Sequence, residues 1–155
     1  MIDIKDKLIE LGFKEPEENF VLANYKSYII HNDNIFISGQ LPVEKGKVLY
    51  TGQISVNTNK DELKKAIRLA ASNLLWTVNS ALSYKRKKIV QTINIKGYLQ
   101  CEEGFNDHSK IFDEASNLIV DVLGPKFGVH SRSVIGVKTL PKNSQVEIEG
   151  LFAIL

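Results

Sequence analysis

Residues 59–83 read NKDELKKAIRLAASNLLWTVNSALS and contain the strongest helix signal of the chain. Apolar side chains recur there at steps of three and four residues, which places them on one helix face: Leu63, Ile67, Ala70, Leu74, Val78 and Ala81. Asn59, with Glu62 three positions later, resembles a capping box in which asparagine replaces serine or threonine. An amphipathic helix of this length needs a second layer to cover its apolar face, so the flanking segments decide the fold.

The segments that follow predict a strand, a second helix and two more strands. Ile89, Ile93 and Ile95 alternate with polar residues, the period of a half-buried strand. A second helix is predicted by a stripe of apolar residues, and Gly124-Pro125 predicts its end: Ile111, Ala115, Leu118, Ile119 and Val122. Residues 133–139 and 145–154 read as strands joined by a turn at 140–143.

The segments that precede residue 59 predict a short helix and several strands. Ile4, Leu8 and Leu11 have helical spacing, and Gly12 follows as a stop. Residues 25–31 and 34–38 read as a hairpin around Asn32-Asp33, and a short strand follows at 48–50. We therefore predict an α+β fold with two long helices on one face of a mixed, mostly antiparallel sheet. Residues 1–155 form one domain in this prediction, with 1–20 as an N-terminal helical extension.

Composition narrows the classes of function. The 155 residues are 43% hydrophobic, and 20 basic and 18 acidic side chains give a net charge of +2. This near balance of charges gives no sign of the strongly basic surface that is typical of a nucleic-acid-binding protein. Cys101 is the only cysteine, and His31, His108 and His130 lack metal-ligand spacing, so we expect no metal site. The N-terminus lacks a signal-peptide core and no apolar run approaches roughly 20 residues, which predicts a cytoplasmic protein.

Arg132 is the first candidate for chemistry. It stands where the loop 128–131 enters a predicted strand, and a guanidinium can grip a carboxylate through two parallel hydrogen bonds. The alternative is a surface arginine or a structural salt bridge. Of the three histidines, His130 is the candidate for a functional role because it lies two residues from Arg132.

Glu147 and Glu149 are the second candidate. Two residues apart in a strand, they share one face, opposite the apolar side chains that face the helices. In a monomer this face meets solvent, whereas in an oligomer the pKa of a carboxylate there can be shifted toward the range needed for acid–base catalysis.

Ser38 ends a predicted strand without a nucleophile elbow around it, which makes its hydroxyl a hydrogen-bond donor rather than a nucleophile. The basic run 85–88 follows a helix end, where the helix dipole favours cations.

Four segments together resemble the RidA/YjgF family of reactive-intermediate deaminases, over residues 20–155. They are Ala23-Asn24-Tyr25, then residues 34–42 with Ser38-Gly39-Gln40-Leu41-Pro42, then Ser131-Arg132-Ser133, and finally Leu140-Pro141 followed by Val146-Glu147-Ile148-Glu149. The resemblance implies a chorismate mutase-like fold and a homotrimer whose sheets line a central barrel, with clefts between subunits. It also implies that Arg132 holds a substrate carboxylate, that Glu147 positions the attacking water, and that Tyr25, Ser38 and Gln100 line the pocket.

The implied activity is hydrolytic deamination of small reactive enamines and imines, such as 2-aminoacrylate, without a cofactor. Two positions depart from the family pattern: Val134 stands where many deaminating members have cysteine, and Gln100 where asparagine is usual. Two alternatives therefore stay open. One is a non-catalytic trimer that binds small carboxylates, and the other is a ribonuclease or translation inhibitor, as some relatives have been named.

Overall fold

The computed structural model describes residues 3–16, 24–87 and 90–155 of the chain. In chain order the elements are α1 (Ile4–Glu10), β1 (Tyr28–His31), β2 (Asn34–Gln40), β3 (Val43–Glu44), β4 (Lys47–Val48), α2 (Lys60–Lys85), β5 (Val90–Gln100), α3 (His108–Gly128), β6 (Ser131–Val137), a 3₁₀ turn (Pro141–Asn143) and β7 (Val146–Ile154). Five strands form one sheet in the order β1-β2-β7-β5-β6, and β3 pairs with β4 separately.

The sheet is mixed and mostly antiparallel, as predicted. Strands β1, β2, β7 and β5 pair antiparallel in that order, whereas the edge strand β6 runs parallel to β5. The β5–α3–β6 segment is the crossover that such a parallel pair requires. Helix α2 contacts β2 and β7, and α3 contacts β5 and β6, so both long helices cover the same face of the sheet.

Helix α2 forms where the sequence predicts it. The Asn59 side chain accepts hydrogen bonds from the backbone N–H groups of Asp61 and Glu62, at 3.0 and 3.1 Å. Glu62 does not complete the capping box, because its carboxylate binds Lys65 instead. The whole predicted apolar stripe of α2 is buried.

The strict alternation predicted for β5 is wrong in its first half. The pairing register of β5 with β7 shifts between Thr92 and Asn94, so one residue is extra on the β5 side. Thr92 is consequently 2% exposed and Ile93 39% exposed, the reverse of the prediction, while Ile95 is buried as expected. Ile89 lies outside the described residues.

The predicted end of the second long helix at Gly124-Pro125 is confirmed. Gly124 has φ 77° and ψ 162°, a kink that ends the first helical segment of α3, and a second, short segment that was not predicted continues to Gly128. Proline lacks an N–H and suits the first turn of a helical segment, so Pro125 restarts the helix after the kink.

Helix α1 is part of the core rather than an appendage. Ile4 and Leu8 are buried, and α1 contacts both α2 and α3. The Asp3 side chain caps its N-terminus by accepting from Lys5 and Asp6. Residues 17–20 of the predicted N-terminal extension lie outside the described residues.

The two faces of the sheet differ in cover. One faces α2 and α3 and holds the buried residues of β7, which are Val146, Ile148, Phe152 and Ile154. The other, which we call the open face, has no helix over it among the described residues. It presents side chains that alternate with the buried ones, including Phe36, Lys96, Tyr98, Glu147, Glu149 and Leu151. No helix in the described part of the chain is long and apolar enough to cross a membrane.

Candidate active site

Glu147 lies on the open face in a half-buried position. It pairs with Tyr98 of β5 across the strand ladder, and Glu149 stands two residues further along β7 on the same face. Burial, and after it the negative charge of Glu149, raises the pKa of the Glu147 carboxyl above its ordinary value. Lys96 binds Glu149 at 3.0 Å and so partly neutralises that second carboxylate. A raised pKa brings a carboxyl group closer to the range in which it can both accept and return a proton.

Gly39 makes room for the Glu147 side chain. A Cβ atom added at Gly39 would overlap the Glu147 carboxylate, so the carboxylate rests directly against the backbone of β2. The contact occurs at an irregularity of the β2–β7 pairing, between Ile37 and Gln40. Close approach of a side chain to backbone is a reason for glycine in a strand. The Ser38-Gly39-Gln40 segment therefore forms part of the wall beside Glu147.

Ser38 connects this wall to the segment that contains Tyr25. Its hydroxyl donates to the Lys26 carbonyl at 2.7 Å, and its N–H donates to the Ser27 carbonyl at 3.0 Å. Tyr25, the neighbour of Lys26, is half exposed. Tyr25, Ser38 and Glu147 thus belong to one continuous region around the end of β2, although the described contacts join them only through Lys26 and Gly39.

Arg132 lies on the face that meets the helices. It pairs with Ile95 in the β5–β6 ladder, and its guanidinium packs 5.7 Å from the centre of the buried Phe112 ring. Nη2 donates to Asp113 Oδ1 at 2.7 Å and to the Ser109 carbonyl at 2.9 Å, with the Ser109 hydroxyl at 3.1 Å. Helix α3 therefore holds the guanidinium at the edge of the sheet.

A serine links Arg132 to His130. Arg132 Nη1 donates to Ser116 Oγ at 3.0 Å, and the same oxygen lies 3.0 Å from His130 Nε2. His130 Nδ1 is 2.6 Å from the Gly128 carbonyl. Because a carbonyl only accepts, Nδ1 carries a proton in this arrangement, and in the neutral ring Nε2 accepts from the Ser116 hydroxyl. His130 thus orients Ser116 toward the guanidinium.

The Gln100 side chain stabilises the fold through hydrogen bonds within the chain. Its side chain is 2% exposed, and both ends of its amide are bonded. Oε1 accepts from the Leu140 N–H at 2.7 Å, and Nε2 donates to Asn143 Oδ1 at 2.6 Å. The amide holds the turn that connects β6 to β7. Neighbouring Cys101 is half-buried, and burial raises the pKa of its thiol to about 11, which keeps it protonated at neutral pH.

The sheet separates the two principal candidates within one chain. Glu147 projects from the open face, whereas Arg132 projects toward α3 on the opposite face. The structure places Ser38 in the wall beside Glu147, and it does not bring Arg132 to either residue in the same subunit.

Sequence reasoning missed Ser109, Asp113 and Ser116, which surround the guanidinium. A signal was present, because steps of four and three residues place these three polar side chains on one face of α3. Tyr98 was also missed: burial, and after it the charge of Glu149, raises the pKa of this partner of Glu147. Within the described ranges, His, Cys, Asp and Glu side chains form no cluster of three or more that could hold a metal ion.

Fold and site define a class of small α+β proteins, and comparison with known proteins identifies the family. Residues 5–155 match the model of the family described as "YjgF/chorismate mutase-like, putative endoribonuclease". The chain therefore belongs to the YjgF/RidA family, and its fold is the YjgF/chorismate mutase-like fold. The match includes nearly all of α1, which extends the resemblance beyond residues 20–155.

Three relatives resemble the chain over nearly its whole length. Protein TCP17 of Trypanosoma cruzi is 31% identical over 145 residues, which are 93% of this chain and 89% of that protein. The structure of Atu1372 from Agrobacterium tumefaciens has 36% identity and a TM-score of 0.86, covering 98% of this chain and 92% of its own. A "putative endoribonuclease" from Shewanella oneidensis has 32% identity and a TM-score of 0.85, covering 99% of both chains.

More distant structures share the fold. RidA from an Antarctic Psychrobacter has a TM-score of 0.58 at 16% identity, covering 87% of this chain and 92% of its own. TdcF of Escherichia coli, crystallised with bound serine, has a TM-score of 0.60 at 21% identity, covering 87% of this chain and 91% of its own.

Proposed function

We propose that the protein is a hydrolytic deaminase of small reactive enamines and imines, which converts 2-imino acids into 2-oxo acids and ammonia. The observation that carries this proposal is the environment of Glu147. Its carboxylate is half-buried on the open face, rests against Gly39, and has its pKa raised by burial and by Glu149. These are the conditions under which a carboxyl group exchanges protons with a bound water.

The proposed reaction uses water as its only co-reactant. An enamine such as 2-aminoacrylate takes a proton on carbon and becomes a 2-imino acid. Glu147 removes a proton from water as the oxygen bonds to the imine carbon, and it returns that proton to the nitrogen, which gives a carbinolamine. Glu147 then relays the hydroxyl proton to the nitrogen as the carbon–nitrogen bond breaks, so that ammonia leaves and the carbonyl of the 2-oxo acid forms. Arg132 would fix the substrate carboxylate and orient the electrophilic carbon toward the water.

This mechanism requires assembly, because one chain holds Arg132 and Glu147 on opposite faces of its sheet. We therefore propose a homotrimer in which the open faces line a central barrel and each site combines Glu147 of one copy with Arg132 of its neighbour. Exposed apolar residues such as Phe36 and Ile135 give the sheet apolar surface to bury on association. The proposed compartment is the cytoplasm.

Tyr25 and Ser38 would line the pocket beside Glu147. Gln100 was expected to contact the substrate, but both ends of its amide are bonded to the turn at 140–143. We propose that it acts on the site by positioning that turn. Serine bound to TdcF supports a ligand of the size and charge of a small amino acid.

An assay of ammonia release tests the proposal. 2-Aminoacrylate and its longer homologues would be generated in situ by a dehydratase, and their decay followed with and without the protein. We expect the protein to accelerate conversion to the 2-oxo acid. If release of ammonia is no faster than in buffer for every member of the panel, deamination of these substrates is excluded.

A non-catalytic carboxylate binder is the second candidate, and one observation favours it. Val134 stands where many deaminating relatives have cysteine. Both candidates need Arg132 to hold the carboxylate, so the bonds of its guanidinium to Asp113, Ser109 and Ser116 do not separate them. Binding of a 2-oxo acid without any acceleration of imine decay would favour this candidate over the deaminase.

A further inference from the structure

The hydrogen bonds of Arg132 use both Nη atoms of its guanidinium. Nη2 donates to Asp113 and to both oxygens of Ser109, and Nη1 donates to Ser116. Among the described residues, no hydrogen bond from Nε is found. Asp113 meets the guanidinium through Oδ1 only, and its side chain is 57% exposed, against 21% for Arg132.

A carboxylate ligand that binds in the bidentate manner needs two parallel N–H groups. A guanidinium offers two such edges, Nη1 with Nη2 and Nε with Nη2, and Nη2 belongs to both. A bidentate ligand must therefore displace Asp113 or Ser109 from Nη2. Of the two, Asp113 is an exposed side chain that can swing into solvent, whereas the Ser109 carbonyl is fixed in the first turn of α3.

We propose that Asp113 is a specificity-determining residue, an internal carboxylate that competes with the ligand for Arg132 and selects against ligands with a second negative charge. The inference rests on the proposed role of Arg132 in binding a substrate carboxylate. A displaced Asp113 carboxylate stays near the bound ligand, because its backbone is held in α3 one turn after Ser109, which also contacts Arg132. It repels a further carboxylate there, and it is a ready acceptor for a positively charged nitrogen. The favoured ligand class is a monocarboxylate with an imino or amino nitrogen near the carboxylate.

Replacing Asp113 with asparagine tests the proposal without removing the bulk of the side chain. Binding of 2-oxobutanoate, a monocarboxylate, and 2-oxoglutarate, a dicarboxylate, would be measured by calorimetry on the full chain. We expect Asp113→Asn to tighten binding of 2-oxobutanoate by about three- to tenfold, because an exposed charged competitor has been removed. The gain for 2-oxoglutarate should be larger, since repulsion of its second carboxylate also disappears.

Glu114→Gln is the matched control. It removes one negative charge from the next position of the same helix, where Glu114 faces Lys64 and Arg68 rather than Arg132. We expect its affinities for both acids to equal those of the wild type. Thermal unfolding of both variants would show that each is folded.

The outcomes separate this inference from the proposed function. If the wild type binds the acids and Asp113→Asn binds them no more tightly, or gains no more than Glu114→Gln, the role of Asp113 is wrong while the role of Arg132 stands. If neither the wild type nor Asp113→Asn binds either acid, the carboxylate site itself is wrong and the inference falls with it.

Discussion

Replacing Glu147 with glutamine is expected to lower kcat/KM for imine hydrolysis by about 100- to 10,000-fold, the usual contribution of a positioned acid–base group. Glutamine keeps the shape of the side chain against Gly39 but can neither take a proton from water nor return one to the leaving nitrogen. The measurement is ammonia release from in situ generated 2-aminoacrylate, with binding of 2-oxobutanoate followed in parallel.

Binding should survive in Glu147→Gln, because the carboxylate contact is assigned to Arg132 and not to Glu147. Glu149→Gln is the matched control: it removes the carboxylate two residues away, which is paired with Lys96. We expect it to change the rate by far less than Glu147→Gln. Equal rates for the wild type and Glu147→Gln would remove Glu147 from the mechanism.

The same variant should not lose stability. Burial raises the pKa of Glu147 in the folded chain, so the folded state holds its proton to higher pH than the unfolded state. The free energy of unfolding therefore falls as pH rises through the interval between the two pKa values, and above it the buried charge is a cost. Glu147→Gln is uncharged, and we expect it to unfold at or above the temperature of the wild type at pH 7. The difference should vanish below the ordinary pKa of a glutamate.

Truncation of Phe112 to alanine is expected to cost about 3–5 kcal/mol in the free energy of unfolding, as for other large buried aromatic residues. Phe112 is fully buried, and its ring fills the space over Gly97, where an added Cβ would overlap it. Neither β5 nor α3 can close a cavity of that size without breaking the sheet or the helix. For a domain of about 150 residues, this loss corresponds to a fall in Tm of roughly 10 °C.

Tyr84→Ala is the control for the loss of an aromatic ring, because Tyr84 lies near the end of α2 and is 76% exposed. Its replacement should change the free energy of unfolding by no more than about 0.5 kcal/mol. Phe112 also packs beneath the Arg132 guanidinium, so Phe112→Ala should weaken carboxylate binding in addition. A loss of stability no greater than that of Tyr84→Ala would show that the core between α3 and β5 is not packed as described.

The layers of the fold could be predicted because their signals are local and periodic. The stripe and the Asn59 cap define α2, and alternation defines β7, so that two helices over one sheet follow from the sequence. One error has a physical cause that lies outside such patterns: the extra residue at Thr92 and Ile93 comes from pairing with β7. The short helical segment that resumes after Gly124 was not predicted either, because the glycine and proline there signal only the end of a helix.

The candidate site could be predicted only in part. Residue type and position led to Arg132 and Glu147 as candidates, the family resemblance implied their roles, and alternation placed Glu147 on the open face. The sequence did not indicate that Arg132 turns toward α3, because that direction depends on the parallel pairing of β6 with β5 and on Asp113, 19 residues away along the chain. Nor could it show that Gln100 is used to hold a turn 40 residues distant.

Complementation between two inactive variants tests most directly whether Arg132 and Glu147 of different copies share a site. Arg132→Ala and Glu147→Gln would each be assayed alone and then after co-refolding as a one-to-one mixture. If subunits of a ring mix at random, an intact site forms wherever Glu147 of one variant meets Arg132 of the other, and about one quarter of wild-type activity should return. If the mixture is no more active than the separate variants, although mass measurement shows mixed oligomers, the two residues do not act together across a subunit boundary.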